Sequence, residues 1–440
     1  MPDDAAPYPR PAYAWSVVAI LFLTAVLSYT DRQVLSLLVD PIRAELKIDD
    51  TQMSLLLGAA FAVIYGIAGV PLGWFADRTS RRNLILGGVL VWGIGTLACG
   101  FAQSFGELFA ARIVVGLGEA VLSPAAISLI SDYLPERRRG FALGVYFSGI
   151  AVGVGSPLFI GSTILGAIDH GLFLGTPLAH LSPWRLVLLV LGTPSLLWAL
   201  LILAIREPAR RGSEAAQAVV PPTGGVDWTP LLLIAPVYLA VAIASLVDNG
   251  VGAWVPSLLI RTFKAAPTGE GMKGLGLLIT AGYGGGMLLG GFLADRMAVW
   301  RGPRGKIELC LAAAASTLLA ALLIRTPALD AVMISTTLYF ALSAVVTASG
   351  LSAILDATPN RSRGLAMAIS FFLNVAVGAG IGPTVVALAG DKLFGKRVGL
   401  GAPIAFTIAV FFSIAAIALV AALVVARRHR ATVNPVGASA

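Results

Sequence analysis

Five ionisable residues stand inside long apolar runs of this sequence: Asp31, Arg32, Arg112, Glu119 and Asp248, the last with the amide Asn249 beside it. Charge at membrane depth is costly unless it is paired or watered, so each of these residues needs a partner or a task. Arg112 and Glu119 are seven residues apart and therefore share one helix face, about two turns apart. Gly116 and Gly118 lie between them and leave room for a second helix. Two chemistries fit. One is a set of static salt bridges that tie helices together. The other is a proton-sensitive network, in which a buried Glu keeps its proton until a guanidinium approaches. Arg112 or Arg32 also suits an anionic head group. Asp248 is read evenly as a solvated cavity residue or as a hydrogen-bonding group between helices.

No catalytic constellation is present. His170 and His180 lie in a loop and His429 in the tail, none near a nucleophile or at metal-ligand spacing. Gly284-Gly285-Gly286 lies in an apolar run without a preceding strand or a following Gly-Lys-Ser/Thr, so it is not a phosphate loop. ATP drive is excluded, and no enzyme activity, cofactor or metal is expected. Cys99 and Cys310 read as small buried hydrophobes.

The elements that carry these residues are long and apolar. The chain has 440 residues, 57% hydrophobic and 12% charged, with a mean hydropathy of +0.87. Soluble domains carry roughly 25% charged residues, so lipid has to be the solvent for much of this chain. Twelve membrane-length segments are predicted: Trp15–Leu38, Thr51–Phe75, Asn83–Gln103, Gly106–Ile130, Arg138–Leu165 and Trp184–Ile205, then Pro230–Ile260, Gly274–Leu293, Ile307–Ile324, Ala328–Leu355, Gly364–Leu388 and Ala402–Ala426. The first is expected to be a retained helix, because no basic region precedes it and no small-residue cleavage site follows it. The formal charge of +8 does not point to nucleic acid. The arginines cluster in short loops on one side, which the positive-inside rule makes cytoplasmic together with both termini. Such a face attracts anionic membrane lipids.

Two cytoplasmic motifs recur. Gly73-Trp-Phe-Ala-Asp77-Arg78 returns as Gly291-Phe-Leu-Ala-Asp295-Arg296. Asp132-Tyr-Leu-Pro135-Glu-Arg137-Arg-Arg139-Gly140 returns as Asp356-Ala-Thr-Pro359-Asn-Arg361-Ser-Arg363-Gly364. The repeats imply a duplicated six-helix unit: residues 1–205 and 230–440, joined by a charged linker at 206–229. The fold class is thus an all-α membrane protein with two pseudo-symmetric six-helix bundles.

Along its whole length the chain resembles the major facilitator superfamily. Gly73-x-x-x-Asp77-Arg78-x-Ser80-Arg81-Arg82 is similar to that family's signature loop, with Ser80 where a Gly is usual. Tyr29-Thr-Asp31-Arg32, Gly116-Leu-Gly118-Glu119-Ala120, Arg206-Glu207-Pro208-x-Arg210-x-Gly212 and Trp254-x-Pro256 resemble the Spinster-like branch. Anion symporters of the same superfamily also begin with a Tyr-x-Asp-Arg helix.

The resemblance implies that the first and fourth helices face each other along a central cavity. Asp31 and Arg112 are then expected at similar depth and paired, with Arg32 pointing elsewhere, about 100° round the helix. Glu119 is the expected protonation switch, Asp31 its acidic partner and Arg112 the group they compete for. At the cytoplasmic face the resemblance implies a gate. Asp77 is expected at the start of the eleventh helix and Arg78 on Asp132. Asp295 is expected near Gly140 and Arg296 on Asp356, with Arg82 in the same loop. Topogenic charge alone is the other reading of these residues. Tyr65, Phe147, Asn249, Trp254, Phe371 and Phe372 are candidate cavity residues. The glycines of the fifth segment fit either close helix contact or an antiporter motif.

The function that follows is secondary transport by alternating access, proton-coupled or proton-sensitive. The substrate would be an amphipathic lipid such as a lysolipid or sphingoid phosphate. Proton-coupled symport of small organic anions is the alternative, and a membrane receptor or scramblase a second one. The expected partners are substrate, protons and membrane lipids. Nucleic acid is not one of them. A monomer in a bacterial inner membrane is expected.

Overall fold

The computed structural model describes residues 8–210, 234–358, 363–395 and 399–433, and among these the chain is helical without strands. Twelve helices are long and apolar enough to cross a membrane. We number the spanning helices α1 (Pro11–Gln33), α2 (Ala59–Arg78), α3 (Arg81–Phe101), α4 (Phe105–Glu119, resuming as Leu122–Tyr133), α5 (Glu136–Asp169) and α6 (Pro183–Leu203). The second set is α7 (Ala235–Phe263), α8 (Glu270–Arg301), α9 (Arg304–Leu323), α10 (Leu329–Ala357), α11 (Arg363–Leu373, continuing through π-turns to Leu388) and α12 (Gly401–Val433). Two short helices, Val39–Leu46 and Asp50–Leu57, join α1 to α2.

Contacts divide the chain into two compact units, Met1–Val226 with Pro267–Gly276 and Asp227–Ala266 with Leu277–Ala440. In the first, α1 lies along α5, α3 along α6 and α4, and α2 against α4. In the second, α7 lies along α11, and α9 along α12 and α10. The pairing of α1 with α5 is thus repeated as α7 with α11, and that of α3 with α6 as α9 with α12. Large apolar side chains such as Leu200, Leu288 and Ile417 are exposed, as lipid-facing surfaces require.

Small residues set the helix spacing. A Cβ on Gly118 would lie 2.5 Å from the Trp92 amide nitrogen, and one on Gly116 would lie 2.6 Å from Ile64. Those two glycines wedge α4 between α3 and α2, as their spacing in the sequence suggests. The break in α4 follows from Pro124, which has no N–H to donate to the Ala120 carbonyl. The interruption comes directly after Glu119. Ser80 caps α3 by accepting from the Asn83 N–H at 3.3 Å, which a glycine at that position cannot do.

Candidate functional site

The four charges of α1 and α4 are all buried: Asp31, Arg112 and Glu119 are each 1% exposed and Arg32 is 9% exposed. Two acids and two bases give a formally neutral cluster, but the pairing differs from expectation. Arg32 meets Glu119, with Nη2 donating to Oε2 at 2.7 Å and Nε at 3.2 Å. Ser28, one turn earlier on the same face of α1, donates to that oxygen at 2.8 Å. Asp31 turns to α3 and accepts from the Thr96 hydroxyl. Consecutive helical residues diverge by about 100°, and the chain uses that angle to direct Arg32 to α4 and Asp31 to α3. The expected Asp31–Arg112 pair therefore does not form, and it is Arg32, not Arg112, that holds Glu119.

Arg112 has another task. Its Nη2 donates to the Arg32 carbonyl at 3.3 Å and its Nε to the Leu56 carbonyl at 3.4 Å. Both acceptors lie in the last turns of their helices, α1 and Asp50–Leu57. A cation there satisfies carbonyls left without intrahelical partners and offsets two helix dipoles. Arg112 is a shared C-terminal cap.

Aromatic rings surround Arg32. Its guanidinium carbon lies 4.1 Å from the Phe61 ring centroid, 4.5 Å from Tyr29 and 5.2 Å from Tyr65. Tyr65, a predicted cavity residue, thus belongs to this cage. Phe61 was not singled out from the sequence. It lies four residues before Tyr65, on the same helix face, and that spacing was the available signal. One oxygen each of Asp31 and Glu119, Oδ1 and Oε1, has no hydrogen bond from the protein. The site therefore joins a caged guanidinium to two carboxylates with spare acceptor capacity. That chemistry suits a proton and an anion.

The other expected cavity residues divide. Phe147, Phe371 and Phe372 are exposed. Asn249 donates to the Ser245 carbonyl one turn back at 2.9 Å. Trp254 is fully buried, and its indole N–H donates to the Pro383 carbonyl at 2.9 Å. It joins α7 to α11. Asp248 accepts from the Tyr339 hydroxyl of α10 at 2.8 Å.

At the end of each unit that carries the repeated loops, the loop acids find other bases than those expected. Arg81, in the first turn of α3, forms the ion pair with Asp132. Arg78 stacks on Trp74 at 4.1 Å. In the second unit Lys306, in the first turn of α9, takes Asp356 at 2.5 Å. Arg296 lies over Phe292 at 5.2 Å. Both corrections have one cause. Arg78 and Arg296 project from the sides of α2 and α8, where the nearest ring is four residues back. Arg81 and Lys306 begin the next helix, beside α4 and α10. Arg82 binds Asn83 through its side chain, at 2.8 Å and 3.0 Å. Asp77 and Asp295 are exposed. The partner expected for Asp77, the start of α11 near Gly364, adjoins residues 359–362, which lie outside the described residues.

The start of the linker is bound to the first unit at its surface. Glu207 accepts from Arg81 Nε at 2.7 Å, the Arg82 N–H at 2.9 Å and the Ser80 hydroxyl at 3.0 Å. Arg210 donates to the Thr79 carbonyl at 2.6 Å and the Ala76 carbonyl at 2.9 Å. Burial alone would raise the Glu207 carboxyl. Donation from Arg82, Arg81 and Ser80 outweighs it and holds the group below the usual carboxylate range. On the opposite loops Glu45 behaves alike. Burial is outweighed by Ser182, Trp184 and Arg185, and its carboxyl is lowered.

Two compact units, with a charge cluster in the membrane-spanning part of the first, define an integral membrane carrier. Residues 21–383 match the Major Facilitator Superfamily, and the chain belongs to that family. It is 30% identical over 397 residues to an MFS-type efflux pump of Mycolicibacterium smegmatis, covering 89% of this chain and 87% of that protein. A D-galactonate transporter of Escherichia coli is 28% identical over 212 residues, 48% of this chain and 45% of that one. Among solved structures it is similar to a bacterial homologue of the human lysosomal transporter Spinster, inward-facing and occupied, with a TM-score of 0.79 at 25% identity, covering 94% of this chain and 97% of that one. The Spinster-like resemblance of the motifs is thereby matched in three dimensions.

Proposed function

We propose that this transporter couples proton uptake at Glu119 to binding of an amphipathic anion at Arg32. The observation that carries the reading is the 2.7 Å Arg32–Glu119 pair inside the aromatic cage. While Glu119 is ionised it occupies the guanidinium, and the four-charge cluster is neutral. A proton on Glu119 cancels one negative charge. The cluster becomes a net cation, and the planar guanidinium is free to grip a carboxylate or phosphate through paired N–H donors. Asp31 sits beside the switch as a second acid, and Arg112 keeps the α1 terminus in place while the pair opens.

A lysolipid or sphingoid phosphate fits an anionic group bound in the first unit and an apolar remainder. Between its ends, the spanning part of the second unit is poor in arginine and lysine. A small organic anion is the second reading, favoured by the similarity to the D-galactonate transporter. The gate role of Asp77, Arg78, Arg82 and Asp295 belongs to the same proposal, now with Arg81–Asp132 and Lys306–Asp356 as its ion pairs. So do cytoplasmic termini, a monomer and a bacterial inner membrane.

The test is flux in proteoliposomes under an imposed pH gradient, with a labelled lysolipid and D-galactonate compared side by side. Lysolipid flux that depends on the gradient is expected, and Glu119→Gln should remove that dependence while the variant stays folded. D-galactonate flux alone supports the second reading. Gradient dependence unchanged in Glu119→Gln refutes the switch.

A further inference from the structure

Asp248, in the middle of α7, is an acid that the mechanism above does not use. The duplication tells where to look for its counterpart. The offset of 224 residues that sets Asp132 opposite Asp356 also sets Glu119 of α4 opposite Ser343 of α10. The offset of 218 that sets Asp77 opposite Asp295 brings Asp31 of α1 to Asn249, next to Asp248 in α7. The second unit thus carries an acid beside the position equivalent to Asp31 and a hydroxyl at the position equivalent to Glu119, without the arginines.

The local geometry is that of a built site. Tyr339 donates its hydroxyl proton to Asp248 Oδ1 at 2.8 Å. Ser343, one turn further along α10, is 0% exposed and carries a buried hydroxyl. That hydroxyl lies beside the Asp248 carboxylate. Asp248 itself keeps partial exposure. Tyr339 is held on its far side by edge contacts with Phe340 and Phe412, at 5.2 Å and 6.0 Å.

Among the described residues, no cation faces this acid from the helices around it. From α10 it meets Tyr339 and Ser343, and Tyr283 of α8 stands behind Tyr339. Residues 364–388 of α11 and 401–424 of α12 contain no ionisable side chain. On α7 the nearest base is Arg261, thirteen residues away, or about 20 Å along the helix. A carboxylate at membrane depth without a basic partner has to be neutralised by a proton or a bound metal cation. Asp248, Tyr339 and Ser343 offer few oxygens, and the Asn249 amide nitrogen is committed to Ser245. Hard metal cations want six or more oxygen ligands, so the proton is the better fit.

We propose that Asp248 is a second proton-binding site of the transporter, held by Tyr339 and Ser343 in the second unit as Asp31 and Glu119 are held in the first. The inference rests on the proton-coupled reading, but a substrate-free measurement separates the two. Infrared difference spectra of the purified full chain in lipid nanodiscs, between about pH 5 and about pH 9, should contain a carboxylic-acid carbonyl band that changes with pH. Asp248→Asn should lose that band, and Tyr339→Phe should move its frequency by removing the phenol that bonds the carboxyl. Glu119→Gln and Asp31→Asn should retain it. If Asp248→Asn does not fold, the Tyr339→Phe shift alone carries the test. An Asp248→Asn spectrum equal to wild type, a band that does not change with pH, or a band abolished by sodium at constant pH overturns the proposal. Should Glu119→Gln leave the band intact and flux still depend on the gradient, the Glu119 switch fails and the Asp248 site stands.

Discussion

Arg81 and Asp132 form a buried ion pair where α2 turns into α3 in the first unit, and Glu207 closes on the same guanidinium at 2.7 Å. The second unit repeats the pair as Lys306 and Asp356. The base in both cases comes from the first turn of the helix after the loop. The linker strand Arg206–Arg210 is therefore part of the first unit: it covers the first turn of α3 with an acid and the last turn of α2 with a base. Each charge sits where a helix dipole favours it.

Removing Glu207 should loosen this clasp. Glu207→Gln is expected to lower stability by roughly 1–2 kcal/mol, because charge-assisted hydrogen bonds are lost at a partly exposed site. The pH dependence has a definite sign. The folded carboxyl is lowered, so its stabilisation is present above the ordinary glutamate pKa of about 4.3 and is lost as pH falls from there through the lowered folded value. Thermal melting of the detergent-solubilised protein between those conditions checks it. The wild type should lose more melting temperature on acidification than Glu207→Gln.

Arg112 should behave as a structural cap. Arg112→Ala leaves two helix-end carbonyls without a donor and the charge cluster with an uncompensated negative charge. A loss of about 3–5 kcal/mol is expected, read as a lower melting temperature. Arg112→Lys keeps the charge and should recover part of it. Loss of pH-dependent flux in Arg112→Lys at wild-type stability would contradict the capping role.

The aromatic cage should tune Arg32. Phe61→Leu and Tyr65→Leu each remove a cation–π contact with Arg32 worth about 0.5–2 kcal/mol. Substrate affinity should fall about 2- to 30-fold, with folding retained. A titration of gradient-driven flux against substrate concentration measures the change.

Trp254 should matter for stability and not for selectivity. Trp254→Ala is expected to cost about 3–5 kcal/mol through the cavity it leaves. Trp254→Phe should cost about 1–3 kcal/mol, since the Pro383 carbonyl loses its donor. The ratio of lysolipid to D-galactonate flux in Trp254→Phe should match wild type.

Close approach of α4 to its neighbours depends on Gly118. Gly118→Ala places a methyl group 2.5 Å from the Trp92 nitrogen. Overpacking of this kind costs about 1–3 kcal/mol, and a lower melting temperature is the readout.

By itself the sequence determined the twelve spans, the duplication and the small set of membrane charges that had to be explained. Length, hydropathy and motif spacing are local properties, written in consecutive residues and legible without coordinates. The glycine wedge at Gly116 and Gly118 was legible for the same reason. Tertiary structure alone decided who pairs with whom. Asp31 and Arg32 are neighbours in sequence, yet a rotation of about 100° sends one to Thr96 and the other to Glu119. The same holds for Arg78 and Arg81. Three residues apart in one basic loop, they fall on opposite sides of a helix boundary, and only the second faces Asp132. Ion pairing depends on distances of a few ångströms between helices, and a one-dimensional pattern carries no information at that scale.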